Sequence, residues 1–475
     1  MVTAAFNRPA DEGYYGFGEL FDRLDAAGSV REMQIRLAGG SESGTNETHA
    51  PVSFFQSTRG AGVFVDERMP GAFDMGATRP DLWRVAYNGT SLRFRLWATA
   101  PGRAQAATLL GHYVDYTGHP KPVPFWALAP QWWRNVNRDQ DEVLDDASRA
   151  IEADIPSTVV WIDRPWSSFY HNWRFNSRQF PDPATLFATL RNQGHRVLLH
   201  HSPQLNPVGQ TDLGADEDAS EAIFERYKAN GWLVTLATSH QPVLMPWGGG
   251  TGGFIDYSNP DAVADQQTLL QRVTDLGAIG TKMDWDEYLQ PNLLTQRLYM
   301  NFANGETNQT MHGWYSALYH RTNIEGFDRA LGEPSFHISR SGLARDQIWN
   351  TCIWPGDLDA DFSESTAAFS DPSAEVEGNV GGLPAALLGA QSLGMSGFPC
   401  FGSDIGGYRG GLPTEEVLLR WLEMGIFHPI AQLGGSGNAH MPWVADSAFS
   451  ATAVDMTRSY FKLRMQLALY VHTAL

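Results

Sequence analysis

The spacing of hydrophobic positions changes near residue 120. Before it, short runs alternate apolar and polar residues between glycine, serine and asparagine, as in 60–66 and 92–97. This alternation is typical of half-buried strands, so residues 1–122 are predicted to form a β-sandwich domain. The proline-rich segment 119–124 marks the domain boundary, because clustered prolines interrupt both helices and central strands.

After this boundary, apolar runs alternate with amphipathic segments of helical length. The predicted strands are 126–132, 157–163, 196–201, 254–257, 280–284, 335–339, 348–354 and 401–404. The predicted helices are 139–153, 183–192, 261–276, 383–393, 415–424 and 452–475. A repeated βα order of this length is typical of a closed parallel barrel. The predicted fold class is therefore α/β, with a (β/α)₈ TIM barrel at 123–475 preceded by the N-terminal β-sandwich.

Polar and charged side chains follow several of the predicted strands. They are Asp163, His201, Asp284, Arg340, Asp357 and Asp404. The C-terminal ends of barrel strands meet at one mouth, so we expect these side chains to converge. The densest group is Asp284, Asp286 and Glu287, at the end of a strand that looks buried.

Two converging carboxylates with an arginine are the equipment of a retaining glycosidase. One carboxylate attacks the anomeric carbon, and the other, kept protonated by burial and by its neighbour's charge, protonates the leaving oxygen. We interpret Asp284 as the nucleophile and Asp357 as the acid/base residue.

The amino-acid composition limits the kinds of molecule that the protein is expected to bind and the compartment in which it is expected to work. The net charge is -19, with 34 basic and 53 acidic residues, which disfavours a nucleic acid partner. Two cysteines are too few for a disulfide framework. No apolar run reaches signal-peptide length at the N-terminus or the roughly 18 residues of a membrane span, so a soluble, cytoplasmic protein is expected. The 16 Trp, 15 Tyr and 25 Phe suit stacking on sugar rings, a weak signal because aromatic residues also build cores.

Eight segments in this order resemble glycoside hydrolase family 31 over nearly the whole chain. They are Gly13-Tyr14-Tyr15-Gly16-Phe17-Gly18-Glu19, Asp115-Tyr116-Thr117-Gly118, Pro124-Phe125-Trp126-Ala127-Leu128, Trp161-Ile162-Asp163, Lys282-Met283-Asp284 with Glu287, Arg340-Ser341, Trp354-Pro355-Gly356-Asp357, and Gly402-Ser403-Asp404-Ile405-Gly406-Gly407. The resemblance implies a retaining exo-acting α-glycosidase, most plausibly an α-glucosidase, acting on an oligosaccharide or glycoside without metal or organic cofactor.

The same resemblance implies roles for single residues. Asp284 would form a β-glycosyl-enzyme and Asp357 would serve first as acid and then as base, with carboxyl groups about 5 to 5.5 Å apart. Glu287 is grouped with them as catalytic. The substrate-binding candidates are Asp163, Arg340, Trp354, Asp404, His440, Trp247 and Lys282. Asp163 and Arg340 would bind sugar hydroxyls and Trp354 would form a wall, although cap, ion-pair and core roles are the alternatives.

Departures from the family pattern concern the sugar. Glucosidases of the family usually carry Arg-x-His where this chain has 430–434, and His440 is either its replacement or a solvated loop residue. Asp286 stands where glycine is frequent. Ser168 and His171 precede Asn172, so the sulfonate-binding pair of sulfoquinovosidases is not evident.

Other interpretations remain open at this stage. They include α-galactosidase, α-xylosidase, sulfoquinovosidase, an α-transglycosylase and a non-catalytic sugar-binding relative. A metal-dependent hydrolase would use His200, His201, Asp163 and Asp284, but adjacent histidines on a strand point to opposite faces and cannot both bind one ion. Self-association is also left open.

Overall fold

The structure is a computed structural model that describes residues 1–34, 49–100, 102, 104–168, 170–207, 223–247, 250–289, 299–365, 380–437 and 439–475. The first strands are β1 (Val2–Asn7), β2 (Tyr14–Gly18), β3 (Val30–Met33), β4 (Pro51–Ser57), β5 (Ala61–Val65), β6 (Gly71–Asp74), β7 (Leu82–Tyr87) and β8 (Phe94–Ala98). They form antiparallel sheets in the orders β1-β7-β6-β3 and β2-β4-β5-β8. Phe55 and Val63 of one sheet share a buried cluster with Phe73 and Val85 of the other.

The remaining strands are β9 (Gln131–Arg134), β10 (Val159–Ile162), β11 (Arg196–His201), β12 (Gln204–Leu205), β13 (Thr235–Leu236), β14 (Leu244–Trp247), β15 (Gly250–Phe254), β16 (Ala278–Met283), β17 (Met300–Asn301), β18 (Ile338–Ser339), β19 (Asp404–Ile405) and β20 (Gln432–Leu433). In the described ranges, seven of them form a parallel sheet in the order β18-β16-β11-β10-β9-β20-β19. Parallel bridges from Ile353 to Ser339 and Phe401 link the two edges, so the sheet curls round.

Helices pack on both parts of the chain, and the first of them lies against β4, β5 and β8. They are α1 (Gln105–Thr117), α2 (Gln140–Glu152), α3 (Pro183–Asn192), α4 (Ile223–Ala229), α5 (Pro260–Leu269), α6 (Gln271–Thr274), α7 (Asn308–Leu331), α8 (Leu383–Gly394), α9 (Glu415–Gly425) and α10 (Ala451–Ala474), with 3-10 turns at Phe125–Leu128, Asp286–Tyr288 and Asp346–Ile348. Among the described residues, no helix combines the length and apolarity needed to cross a membrane.

Local sequence explains where several helices begin. The Asp139 side chain accepts from the Glu142 backbone N–H, and Asp182 does the same for Thr185. Pro183 adds a backbone angle already suited to the first helical turn. The predicted helices 139–153 and 183–192 therefore match α2 and α3 closely.

Other predicted elements differ from the structure. The first barrel strand is β9 rather than 126–132, because Pro124 starts a 3-10 turn there. The predicted strand 254–257 overlaps only the end of an antiparallel hairpin. Strands 335–339, 348–354 and 401–404 are much shorter than predicted. Helix α1 lies inside the range assigned to the sandwich, and helix α7 was missed because buried polar residues hide its apolar face.

The N-terminal sheets pack directly on the parallel part. The backbone N–H groups of Gly18 and Leu20 donate to the hydroxyls of Ser396 and Ser392, each 2.9 Å away. A buried cluster also joins residues of both parts: Ala50, Val52, Phe54, Phe64, Tyr113, Ile353, Leu393, Phe398 and Phe401. The exact domain boundary after residue 122 stays a prediction.

Candidate active site

Asp284 comes directly after β16 and is buried at the end of the parallel sheet. Its backbone N–H donates to the His201 carbonyl at 2.9 Å, which continues the strand ladder by one residue. Trp285 then adopts a left-handed backbone angle, φ 59°, and donates its N–H to Asp284 Oδ1 at 2.8 Å. This turn ends the strand and fixes the orientation of the Asp284 carboxylate.

Two nitrogen-bearing side chains hold that carboxylate. His200 Nε2 lies 3.1 Å from Asp284 Oδ2, and Arg340 Nε lies 3.3 Å from Asp284 Oδ1. Burial by itself would raise the pKa of Asp284, but the Arg340 charge and the His200 hydrogen bond lower it well below the usual range. Asp284 is therefore an ionised, oriented carboxylate at neutral pH.

Lys282 lies on the same strand and contacts a second carboxylate. Its Nζ donates to Asp163 Oδ2 at 3.0 Å and sits 3.9 Å from the ring centre of Trp133 and 4.4 Å from that of Trp354. Burial would lower the pKa of Lys282, but the charges of Asp163 and Asp404 raise it. The sugar-binding candidates on β10 and β16 thus form one buried ion pair faced by aromatic rings.

Asp404, at the start of β19, completes this group. Its carboxylate accepts from Trp354 Nε1 at 3.2 Å and from Gln432 Nε2 at 2.6 Å. Burial raises the pKa of Asp404 to about 6 even though the Lys282 charge opposes the shift. Gln432 also accepts from Trp133 Nε1, so a glutamine orients these groups within the segment that lacks Arg-x-His.

Asp357 follows a tight turn at Gly356 and is half-buried. Gly356 has φ 80°, and a Cβ there would lie 3.2 Å from Arg340 Cδ and 3.3 Å from His49 Nε2. Burial raises the pKa of the Tyr408 hydroxyl, and the negative charges of Asp357, Asp163 and Asp284 raise it further. The Asp357 carboxylate therefore lies near enough to Tyr408 for its charge to affect the pKa of that hydroxyl, as do the charges of Asp163 and Asp284.

Glu287 is buried beside Arg340. Arg340 Nε hydrogen-bonds Glu287 Oε1, and His49 Nδ1 lies 3.2 Å from the same oxygen. Arg340 is 1% exposed, and its guanidinium lies 4.5 Å from the Trp285 ring centre. Glu287 therefore contacts the arginine that holds Asp284, and its own surroundings leave it little access to solvent.

Asp286, one residue away, points into a different buried network. Its carboxylate lies 3.0 Å from His320 Nε2 and accepts from the Ser341 hydroxyl. His320 Nδ1 lies 2.8 Å from Asp346. Burial would raise the pKa of Asp286, but the His320 charge lowers it. These contacts give the extra acid a structural partner in helix α7.

Two further candidates lie apart from these contacts or outside the description. His440 is fully buried rather than solvated, and its Nε2 hydrogen-bonds the Ser436 carbonyl. Burial lowers the pKa of His440 to about 4, so the ring is neutral. The side chain of Trp247 lies outside the described residues. Sugar contact by either residue stays a prediction.

Sequence reasoning missed several residues of this site. His49, Glu19 and Gln432 are buried beside it. Glu19 ends a family motif and Gln432 lies where Arg-x-His is expected, but neither pattern indicated a contact with the site, and no pattern pointed to His49. His200 was considered only as a metal ligand, and it contacts Asp284 while His201 hydrogen-bonds the Tyr319 hydroxyl. Within the described part of the chain, no group of three or more His, Cys, Asp or Glu side chains is arranged to hold a metal ion.

Comparison with known proteins gives concordant matches. The sequence model of the glycosyl hydrolases family 31 TIM-barrel domain matches residues 120–474. The chain is 26% identical over 473 residues to α-xylosidase XylQ of Lactiplantibacillus pentosus, covering 98% of this chain and 55% of that protein. It is 24% identical over 474 residues to α-glucosidase 2 of Bacillus thermoamyloliquefaciens, covering 97% and 55%.

A solved structure shows the same fold. A mutant of the GH31 dextranase of Flavobacterium johnsoniae, complexed with isomaltotriose, aligns with a TM-score of 0.85 at 20% identity. The alignment covers 99% of this chain and 55% of the dextranase. The chain therefore spans about half the length of the curated relatives it matches.

Proposed function

Because this chain belongs to glycoside hydrolase family 31, we propose that it is a retaining, exo-acting α-glycosidase that releases a terminal non-reducing sugar. The observation that carries the proposal is the buried Asp284 carboxylate, held ionised between Arg340 and His200. An anion in that state is suited to attack carbon, because little solvent has to be removed from it.

The proposed architecture is a (β/α)₈ barrel behind an N-terminal β-sandwich. The parallel bridges of Ile353 support an additional strand position between β18 and Phe401. The common core of the two antiparallel sheets supports the sandwich. On this architecture, Asp163 and Asp284 lie at the barrel mouth, where they follow the ends of β10 and β16, and Asp404 reaches the same group from the start of β19.

The proposed reaction has two displacements. Asp284 Oδ forms a bond to the anomeric carbon while the bond to the leaving oxygen breaks, and Asp357 gives that oxygen its proton. Water then attacks the β-glycosyl-enzyme, Asp357 takes a proton from it, and Asp284 leaves as a carboxylate. Two inversions return the α configuration.

The sugar is proposed to bind against the buried charges. Asp163 and Asp404 accept hydrogen bonds from the sugar hydroxyls. Lys282 and Arg340 donate hydrogen bonds to the sugar hydroxyl oxygens, and all of these bonds are charge-assisted. Trp354 faces the cations through its ring and offers an apolar wall. This set supports an uncharged sugar, with glucose as the first choice. Xylose is the second candidate, favoured by the similarity to the α-xylosidase.

A panel of 4-nitrophenyl α-glycosides of glucose, galactose, xylose and sulfoquinovose tests this function. We expect turnover of one or two members, with the α-anomer appearing first by NMR. Asp284→Ala should abolish turnover, and a fluoroglycoside inactivator should label Asp284 as read by peptide mass spectrometry. First release of the β-anomer, or a label on Asp286 or Glu287, would contradict the mechanism.

The same intermediate could pass to a sugar hydroxyl instead of water. Hydrolases and transglycosylases of this kind share the first displacement and differ in the acceptor of the second. Product analysis at high substrate concentration separates them, because transfer gives oligosaccharides longer than the substrate. We expect the free sugar to dominate.

A further inference from the structure

His49 comes from the N-terminal sheets but lies among the segments that carry the site. It precedes β4 by two residues and is 1% exposed. Its carbonyl accepts from the Gly342 N–H at 3.1 Å, two residues after Arg340. Its Nδ1 lies 3.2 Å from Glu287, and a Cβ on Gly356 would lie 3.3 Å from its Nε2. The imidazole therefore contacts the segment after β16 and lies beside Gly356, while the backbone carbonyl of His49 binds the segment after β18.

The contact between His49 and Glu287 is the first in a series of side chains that leads to Asp284 and in which positive and negative groups alternate. His49 faces Glu287, Glu287 accepts from Arg340 Nε, and the same Nε lies 3.3 Å from Asp284. Arg340 Nε is thus shared between two carboxylates. A positive charge on His49 reduces the pull of Glu287 on Arg340 and leaves more of the arginine's field for Asp284.

We propose that His49 is a positioning residue for the first displacement, acting through Glu287 and Arg340 on Asp284. The proposal rests on the proposed function, since it concerns the same reaction. It means that the N-terminal sheets contribute to the chemistry as well as to the packing of the parallel sheet.

The ionisable groups that face His49 are Glu19, Glu287 and Arg340. Burial lowers the pKa of His49, but the hydrogen bond and charge of Glu287 outweigh it and raise the pKa to about 8. Burial raises the pKa of Glu19 to about 8 as well. His49 is therefore a second cation beside Arg340 at neutral pH, and it loses its charge as the pH rises through about 8.

The test is the pH dependence of kcat/KM for an α-glycosyl fluoride in the full chain. Fluoride leaves with little need of a proton, so the titration of Asp357 contributes little to this step. We expect the native protein to show an alkaline fall with an inflection near pH 8. In His49→Asn, kcat/KM at pH 7 should drop by about tenfold or more and the inflection should disappear. His49→Ala, without a hydrogen-bond donor, should be lower still.

His195→Gln is the matched control. His195 is also buried and hydrogen-bonded, to Ser157, but it precedes β11 and so lies at the opposite end of the strand from His200. We expect its kcat/KM and pH profile to match those of the native protein. Thermal unfolding of all variants identifies any loss that is due to misfolding, and only folded variants are compared.

The outcomes separate the two proposals. No turnover of any glycoside by the native protein would refute the proposed function. Turnover by the native protein, with a folded His49→Asn variant that keeps its rate or its inflection near pH 8, would refute the role of His49 and leave the function intact. If both His49 variants fail to fold, the pH profile of Glu19→Gln decides, because Glu19 also has a pKa of about 8. An inflection near pH 8 that persists in Glu19→Gln supports the role of His49, and its absence from that variant or from the native protein refutes the role.

Discussion

Asp284 and Asp404 are both buried, yet their pKa values move in opposite directions. Arg340 and His200 contact Asp284 and lower its pKa despite burial. Asp404 receives hydrogen bonds from neutral groups, Trp354 and Gln432, and burial raises its pKa to about 6. The Arg340 guanidinium beside Asp284 thus keeps that carboxylate an anion in acid, whereas the charge of Lys282 only partly offsets the effect of burial on Asp404.

Replacing Asp404 should change how stability depends on pH. Its folded pKa of about 6 exceeds its ordinary value of 3.8, so the folded state binds the extra proton between these values. Stability from this group is therefore present below about pH 4 and lost as the pH rises through 6, about 3 kcal/mol in all. Urea unfolding of Asp404→Asn between pH 4 and 7 should lack this loss. If the unfolding free energies of Asp404→Asn and the native protein differed by the same amount at every pH from 4 to 7, the assignment would be contradicted.

Replacing Asp357 should separate good from poor leaving groups. Asp357→Ala should slow alkyl glycosides severely but spare the first step for activated aryl glycosides, because these need no proton donor. Azide should restore turnover and give an α-glycosyl azide, since azide attacks without a general base. The nearby half-buried Asp359 offers the control Asp359→Ala, which should show neither effect. Azide rescue of the Asp359 variant instead would move the acid/base role there.

The residues predicted from sequence were those in short local motifs. Lys282 and Asp284 share one strand end, and the structure brings Arg340 to them. His49 and Gln432 were not predicted because their contacts depend on sheets closing over long chain separations. No local pattern records such contacts.

Helix α7 and the turn after β16 are joined through one buried histidine. His320 lies between Asp286 and Asp346, 3.0 and 2.8 Å from their carboxylates. Burial would lower the pKa of His320, but the two carboxylates raise it to about 10. The helix thus carries a cation that balances two buried acids next to the site.

His320→Gln should destabilise the protein by roughly 3 to 5 kcal/mol at pH 7, because the two acids lose their cation. The folded pKa exceeds the unfolded value of 6.5, so this stability is full below pH 6.5 and lost as the pH rises through about 10. Chemical denaturation from pH 7 to 10 should show that loss in the native protein and not in the variant. Arg321→Gln, which breaks an exposed ion pair with Glu325 on the same helix, should cost less than about 1 kcal/mol. Equal losses for the two variants would disprove the argument.

Elements with strong end signals were predicted well. Helix α3 begins at Pro183 after the Asp182 cap, as the sequence indicates. The short strands β18 and β19 were overextended because apolar residues continue past their ladders into packed loops. A buried loop that is not paired in a sheet can show the same run of apolar residues as a strand.

At the scale of the whole molecule, the sheets before residue 99 and the parallel sheet share a core. Phe54 and Tyr113 stack at 4.2 Å and belong to the same buried cluster as Ile353 and Phe401. Hydrogen bonds from Gly18 and Leu20 to helix α8 and the residues after it add polar contacts. Neither part can separate without exposing apolar surface to water.

Unfolding of the full chain should therefore be one cooperative transition. Far-ultraviolet circular dichroism and tryptophan fluorescence should give coincident curves in denaturant, and calorimetry a single peak. Phe54→Ala, at this shared core, should lower the midpoint without splitting the transition. Two separate transitions, with one part surviving the other, would show that the contact is weak.

The contact of His49 with Glu287 and Gly342 also bears on how such chains could recombine. A crossover near residue 120 would join the N-terminal sheets of one relative to the parallel sheet of another. Such a chimaera would be a continuous chain, and its sequence would look like two intact domains joined at their natural boundary. It would nevertheless pair a histidine from one parent with a glutamate and an arginine from the other. We therefore expect the N-terminal sheets and the parallel sheet to be inherited together from one parent in active chains.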